Sequence, residues 1–504
     1  MRRVVTALTV AAVMAASATS ASASALVVVS GPSPYTSCVN PNEPGTVFVN
    51  AEVEPQVAVN PATVGTSAVN VIGTWQQDRW NNGGAHGLVA GFSFDGGATW
   101  GETTLPFSAC AGNAIADPFT GAPYNRASDP WVSIGADGTA YAVGLLATNS
   151  TDGGVNDTGV AAVTSSDGGR TWHNPNLLKS DQGTSPVFEF TQFFNDKESV
   201  TADPLHAGTA YVVWDRLEAP SHSPDAALKA HAFRGPTWFS KTTDGGRTWS
   251  TARPIFDPGQ NSQTIGNIVV VNPTNGNLYD FFDQFSTTGS PKFTPRGDSV
   301  SFITSTDGGN TWSNARVVSA EQTVFDVDPN TGAALRTEET LPSVAVDPAS
   351  GELYAVWEDA RFTGTVNQVV ISTSTNGGLK WSDPAPVSTA TGTPAFTPTV
   401  AVNSAGVVGV TYYDLRKLPA GDTTTLPTDV WIKTSPRGGG AFGADTHVAG
   451  SFDMFAAPVA GGFFVGDYEA LGVDGTGFLP FFVQTNCAVA PCAANRTDVY
   501  TGTF

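Results

Sequence analysis

Ser305-Thr306-Asp307-Gly308-Gly309-Asn310-Thr311-Trp312 (STDGGNTW) is one of four intact copies of Ser/Thr-x-Asp-x-Gly-x-x-Trp in this chain of 504 residues. The others are Ser93 to Trp100 (SFDGGATW), Ser165 to Trp172 (SSDGGRTW) and Thr242 to Trp249 (TTDGGRTW). Two worn copies keep the internal spacing. Asn376 replaces the Asp between Ser374 and Trp381, and Arg437 and Phe442 replace Asp and Trp in the copy that starts at Ser435. Measured at the Asp position the steps are 72, 77, 63, 69 and 61 residues, a repeat architecture with unequal loops. The residues explain a structural role. Asp95, Asp167, Asp244 and Asp307 can accept backbone N–H bonds, the glycines permit positive φ in a tight hairpin turn, and Trp100, Trp172, Trp249 and Trp312 supply a wedge between neighbouring sheets.

A second element precedes each box: a β-rich segment, a turn led by Asn/Asp-Pro and closed by Gly, and another β-rich segment ending in an aromatic. VAVNPATVG before NVIGTW and SVAVDPASG before LYAVWED are two examples. Counting these hairpins gives seven, one more than the boxes. The seventh unit has strands near 463 to 473, 477 to 485 and 497 to 503, so its missing outer strand must come from Leu26 to Val29 or Thr46 to Asn50. The chain therefore reads as all-β, with a ring of four-stranded units closed by its two ends.

The registered boxes resemble the Asp-box repeat of sialidase-like β-propellers, and the resemblance spans nearly the whole mature chain. It implies one β-propeller over residues 26–504; the hairpin count predicts seven blades, whereas the sialidase fold itself has six. If the boxes join third to fourth strands and the Asn/Asp-Pro turns join first to second, both lie on one rim. The starts of first strands and the ends of second strands then share the opposite rim, around the central channel.

Arg2, Arg3, the apolar run Val4 to Ala16 and Ala23-Ser24-Ala25 read as a secretory signal peptide over residues 1–25, so the mature protein is expected to be secreted. Net charge is −21, and −23 without Arg2 and Arg3, which argues against nucleic acid or an anionic membrane as partner. A monomer is expected. Cys487 and Cys492 enclose only four residues and form the preferred disulfide, leaving Cys38 with Cys110. No metal or other cofactor is called for. In Asp326-x-Asp328-x-Asn330, Thr331 stands where a calcium loop needs glycine, and the six histidines lack zinc spacing.

On the predicted channel face, second strands end in aromatic, acid and arginine clusters: Trp75, Asp78 and Arg79; Trp214, Asp215 and Arg216; Trp357, Glu358, Asp359 and Arg361; Tyr412, Tyr413, Asp414 and Arg416. First strands begin beside Glu54, Asp129, Glu198, Glu339, and Asp467 with Tyr468 and Glu469. Aromatics stack on sugars, arginines clamp an acidic group and acids move protons, a set that suits an acidic or complex glycan. The resemblance implies sialidase chemistry, with a tyrosine nucleophile, a carboxylate base, an Asp acid/base and an arginine clamp. Here Tyr468 or Tyr412 would be the nucleophile, Glu198 or Glu469 its base and Asp78 the proton donor. Arg79, Arg216, Arg361 and Arg416 would form the clamp, and Trp75, Trp214 and Trp357 the sugar platforms. The Phe/Tyr-Arg-Ile-Pro motif of sialidases has no counterpart; Ala252-Arg253-Pro254-Ile255 directly follows a box Trp and reads as an outer strand. The expected function is a secreted glycoside hydrolase. Its rivals are a non-catalytic glycan- or protein-binding propeller and a polysaccharide lyase.

Overall fold

The computed structural model describes residues 26–38, 44–112, 114–149, 155–182, 193–218, 234–287, 295–486 and 496–504. The proposed signal peptide and the Cys487–Cys492 pair lie outside the described residues. Among the described residues the structure is strand and turn, apart from two three-residue 3-10 turns at Ala109–Ala111 and Met454–Ala456.

The strands form antiparallel groups of four in chain order. The first group is Glu52–Val59, Val71–Arg79, Ala85–Ser93 and Gly101–Thr104, and a lone pair, Ala85 with Ala127, joins it to the second. The first strands of the following groups are Arg126–Ile134, Phe193–Ala202, Ser262–Val271, Ser343–Val346, Ala395–Val402 and Ala470–Asp474. In the last group Val27–Val28 pairs with Thr497–Thr501, so the N-terminal segment supplies the outermost strand. Each first strand touches the next, and Ala470–Asp474 touches Glu52–Val59. The expected start of the last group near residue 463 is corrected. Phe463–Phe464 instead pairs in parallel with Leu335–Arg336, because Gly466 and Asp467 turn the chain into the centre before Ala470. Arg253–Phe256 is an outer strand, as its position after a box Trp requires. Cys38 and Cys110 form a disulfide that ties the N-terminal segment to the end of the first group.

The four intact boxes share one hydrogen-bond plan. In the box at 305–312, Ser305 Oγ donates to Asp307 Oδ1 at 2.8 Å and accepts from the Gly309 N–H at 2.9 Å, while Asp307 accepts from the N–H and hydroxyl of Thr311 at 2.9 and 2.7 Å. Asn376 keeps the N–H bond, from Lys380 at 2.9 Å, but Lys380 has no hydroxyl to donate. The box tryptophans reach back to the preceding group. Trp312 meets Phe239 at 5.7 Å, Trp249 meets Tyr141 at 6.5 Å, and Trp381 meets Phe281 and Phe302 at 5.8 and 5.9 Å. Trp100 of the first group meets Phe481 of the last at 5.8 Å. The second box glycine is forced by the same approach, since a Cβ on Gly309 would stand 2.5 Å from the Phe239 ring.

Two outcomes follow from this packing. Phe239→Ala should lower unfolding free energy by about 3–5 kcal/mol in a urea titration, the range for deleting a fully buried aromatic, with the secondary-structure spectrum kept. Hydrogen bonds from Thr248 and Thr311 hold Asp244 and Asp307 down to about 2, below their unfolded 3.8. Their stabilisation is therefore present above pH 3.8 and lost as pH falls through about 2. Asp244→Asn with Asp307→Asn should flatten the acid limb of the stability profile between those values, read by thermal melts.

Candidate functional site

Five first strands carry a bulge at the same place, and the residue within each has positive φ: Glu54 at 54°, Asp129 at 52°, Lys197 at 49°, Gly266 at 70° and Thr397 at 49°. Such backbone is uncommon for non-glycine residues and re-aims their side chains. Here it gathers Glu54 and Asp129 within 3.5 and 3.9 Å of the Lys197 ammonium. Second-strand acids reach the neighbouring group's bulge. Asp215 accepts from the Gly266 N–H at 2.9 Å, and Glu358 accepts from the Thr397 N–H at 2.8 Å. These acids tie sheets together.

Asp467 is the hub of the centre. Lys197 Nζ lies 2.5 Å from its Oδ2, and Arg336 engages both of its oxygens, at 2.9 and 2.6 Å. Lys197 also stands 3.5 Å from Glu54 and 3.9 Å from Asp129. Burial opposes charge on Asp467, but Arg336 and Lys197 outweigh it and hold the carboxyl far below its usual range. Burial likewise opposes charge on Lys197, yet Asp129, Asp467 and Glu54 keep it an ammonium. Arg336 lies over the Phe464 ring at 4.5 Å, and Arg79 lies over it at 5.0 Å.

Beside this hub a cavity of about 170 Å³ is lined by Lys197, Glu198, Glu338, Glu358, Asp467, Tyr468 and Glu469, with Trp131, Ile268 and Leu341 among its apolar walls. The Tyr468 ring packs on Trp131 at 5.2 Å, and its hydroxyl donates to the Pro130 carbonyl at 3.1 Å. Glu198 is buried and neither of its oxygens meets a partner from another residue, so burial, reinforced by Asp129, raises its carboxyl well above the usual range. Glu469 accepts from the Tyr413 hydroxyl through Oε1, while its Oε2 is unpartnered. Asp467 and then burial raise Glu338, which is half-buried with one oxygen 3.6 Å from Arg336. Burial and Asp129 push Asp196 up to about 8, and burial pushes Glu339 up to about 7.

Of the sequence candidates, Tyr468, Glu198 and Glu469 share this cavity. Arg79 lies behind it, bonded to Gln76 at 2.8 Å. The expected convergence of four arginines is not found. Arg216 holds Asp181 with two bonds at 2.7 and 2.6 Å, Arg361 holds Asp359 at 2.8 and 2.6 Å, and Arg416 bridges Asp414 and Asp445 at 2.5 and 2.8 Å. Trp75, Trp214 and Trp357 are wholly buried, because second strands are covered on both faces, so they offer no platform to a sugar. Tyr412 is buried and donates to Asp445 at 2.8 Å, away from the cavity. Asp78 is not the proton donor expected. Burial opposes its charge, but bonds from His86, Ser33 and the Asn50 N–H keep it ionised. The sequence reading missed Lys197, Arg336 and Glu338. The signal for Lys197 was its register with Glu54 and Asp129, each followed by proline, but Glu198 follows Lys197 and conceals the match.

No protein-family model and no curated protein matches the chain. Among solved structures, it is similar to a protein of unknown function from Dyadobacter fermentans, at 14% identity over 74% of this chain and 95% of that one, with a TM-score of 0.44. It is also similar to an alpha-L-arabinanase of Penicillium chrysogenum complexed with arabinobiose, at 14% identity over 78% and 94%, TM-score 0.44. A third is the Hadza microbial sialidase Hz136, at 16% identity over 72% of this chain and 64% of that one, TM-score 0.43. Sialidases and arabinanases are thus among the structures this chain resembles, at identities and scores that assign no activity.

Proposed function

We propose that this protein is an exported propeller glycoside hydrolase that binds carbohydrate in the central cavity. The seven four-stranded groups are its blades, in one domain over residues 26–504. Support for closure comes from the Val27–Val28 pairing with Thr497–Thr501 and from the Trp100 contact with Phe481, each of which joins the two ends of the chain.

The observation that carries the catalytic reading is the contrast between Glu198 and Glu338 in one cavity beside the Trp131–Tyr468 wall. Glu198, buried and without a partner, keeps its proton and is the general acid. It gives that proton to the leaving-group oxygen as the glycosidic C–O bond breaks. Glu338 stands at the more open side, 3.6 Å from Arg336; Asp467 and burial raise its carboxyl, and above that raised value it is the carboxylate base. It takes a proton from the water whose oxygen bonds to the anomeric carbon. Tyr468, whose hydroxyl is already donated to Pro130 and which burial keeps protonated, acts as a wall for the sugar. The cavity falls below the roughly 300–1,000 Å³ of drug-sized ligand sites, so it admits a single terminal sugar.

The test is hydrolysis of paired alkyl and nitrophenyl glycosides. Glu198→Gln should lower kcat on alkyl glycosides about 10²–10⁴-fold, the usual worth of a positioned acid, and much less on nitrophenyl glycosides, whose leaving group needs no proton. The alkaline limb of the wild-type pH profile, which reports loss of the Glu198 proton, should vanish in the variant. A variant as active as wild type on both substrate types, or a wild type that binds sugars and never cleaves them, would remove the catalytic assignment.

A further inference from the structure

Resting on the glycosidase reading, we propose that the sugar taken by this cavity is uncharged, and that Asp467 is the specificity residue that turns anionic sugars away. A uronate, sialate or sulfate needs a cation with hydrogen-bonding capacity to spare. Among the described residues, two cations reach the cavity region, and Asp467 holds both. Arg336 gives it a two-pronged pair at 2.9 and 2.6 Å, and Lys197 gives it a contact at 2.5 Å. Lys197 is further enclosed by Glu54 at 3.5 Å and Asp129 at 3.9 Å. Of the other candidate arginines, three are bound to acids elsewhere, and Arg79, whose Nε meets no partner among the described residues, is buried behind the cavity against Phe464 and Gln76 and does not line it.

The open positions in the cavity are carboxyl oxygens. Both oxygens of Glu198 and Oε2 of Glu469 are buried without a partner from another residue, and both side chains line the cavity. A carboxyl that keeps its proton both donates and accepts, as a sugar hydroxyl does, so neutral hydroxyls satisfy these oxygens. A carboxylated sugar would add a further carboxyl to Glu198, Glu358 and Glu469 and meet no uncommitted positive charge among the lining side chains. Asp467 therefore acts indirectly, by spending the charge of Arg336 and Lys197 inside the protein, and its removal should open the site to anions.

The experiment compares sugars that differ at one carbon. Binding of methyl glucoside against methyl glucuronide, and methyl galactoside against methyl galacturonide, is measured by ligand-detected NMR and calorimetry at low salt. Wild type should bind the neutral member at least tenfold more tightly. Asp467→Asn should gain at least tenfold in affinity for the uronides, and Asp467→Asn with Arg336→Gln should lose that gain. Should Asp467→Asn fail to fold, Glu54→Gln, which loosens only one hold on Lys197, should give a smaller gain in the same direction. Wild-type binding of uronides as tight as their neutral counterparts overturns the inference, as does a folded variant with no uronide gain. Cleavage of a uronide by wild type sinks this inference and spares the hydrolase reading. A neutral-over-uronide binding preference without turnover on any substrate does the reverse.

Discussion

The fold depends on a contact between repeats: the box tryptophan of one sheet packs on an aromatic of the sheet before it. Trp312 on Phe239, Trp249 on Tyr141 and Trp381 on Phe281 repeat one joint, and Trp100 on Phe481 applies it across the chain ends. A four-stranded sheet cannot bury its faces alone, so each needs a neighbour on both sides. The Asp, Thr and Gly of the box hold the turn that presents the indole. Their hydrogen bonds matter because they fix the angle of a large apolar wedge.

This joint also sets where chemistry can occur. Box turns and Asn/Asp-Pro turns meet on one rim, as the Gly245 N–H to Gly208 carbonyl bond at 2.9 Å shows. The opposite ends of the first strands are drawn together at the centre, where bulges swing charged side chains out of the pleat. Glu54, Asp129 and Lys197 come from the first strands of three different four-stranded groups, and Asp467 from the segment leading into Ala470–Asp474. Carboxyls so crowded cannot all ionise. Asp467, held by Lys197 and Arg336, stays charged, whereas burial raises Glu54, Glu198 and Glu358 well above the usual carboxylate range.

The rim aromatics and arginines show why the sequence misled about recognition. Trp-Asp-Arg at a second-strand end looks like a sugar site because each residue type can bind sugar. In the folded chain Trp214 is core, Asp215 secures the Gly266 bulge of the next sheet, and Arg216 is committed to Asp181. Recurrence of the pattern reflects a structural demand made once per sheet. The residues that occur once, Lys197, Arg336 and Asp467, are the ones that give the centre its character.

The sequence by itself determined the repeat and the box turns, put the boxes on one rim, preferred Cys38 with Cys110 among three possible pairings, and offered Leu26 to Val29 or Thr46 to Asn50 as the borrowed strand. All of these rest on local turn chemistry or on counting units, and both are written in contiguous residues. It also set Tyr468, Glu198 and Glu469 among the candidates for one rim, because they stand near the starts of first strands. Only the tertiary structure decided which charges face each other. Asp467 and Lys197 are 270 positions apart, and their pairing depends on the bulge that re-aims Lys197 and on the turn at Gly466 that precedes Asp467. The ionisation of every central carboxyl then follows from neighbours supplied by other sheets, a property that no single stretch of the chain contains.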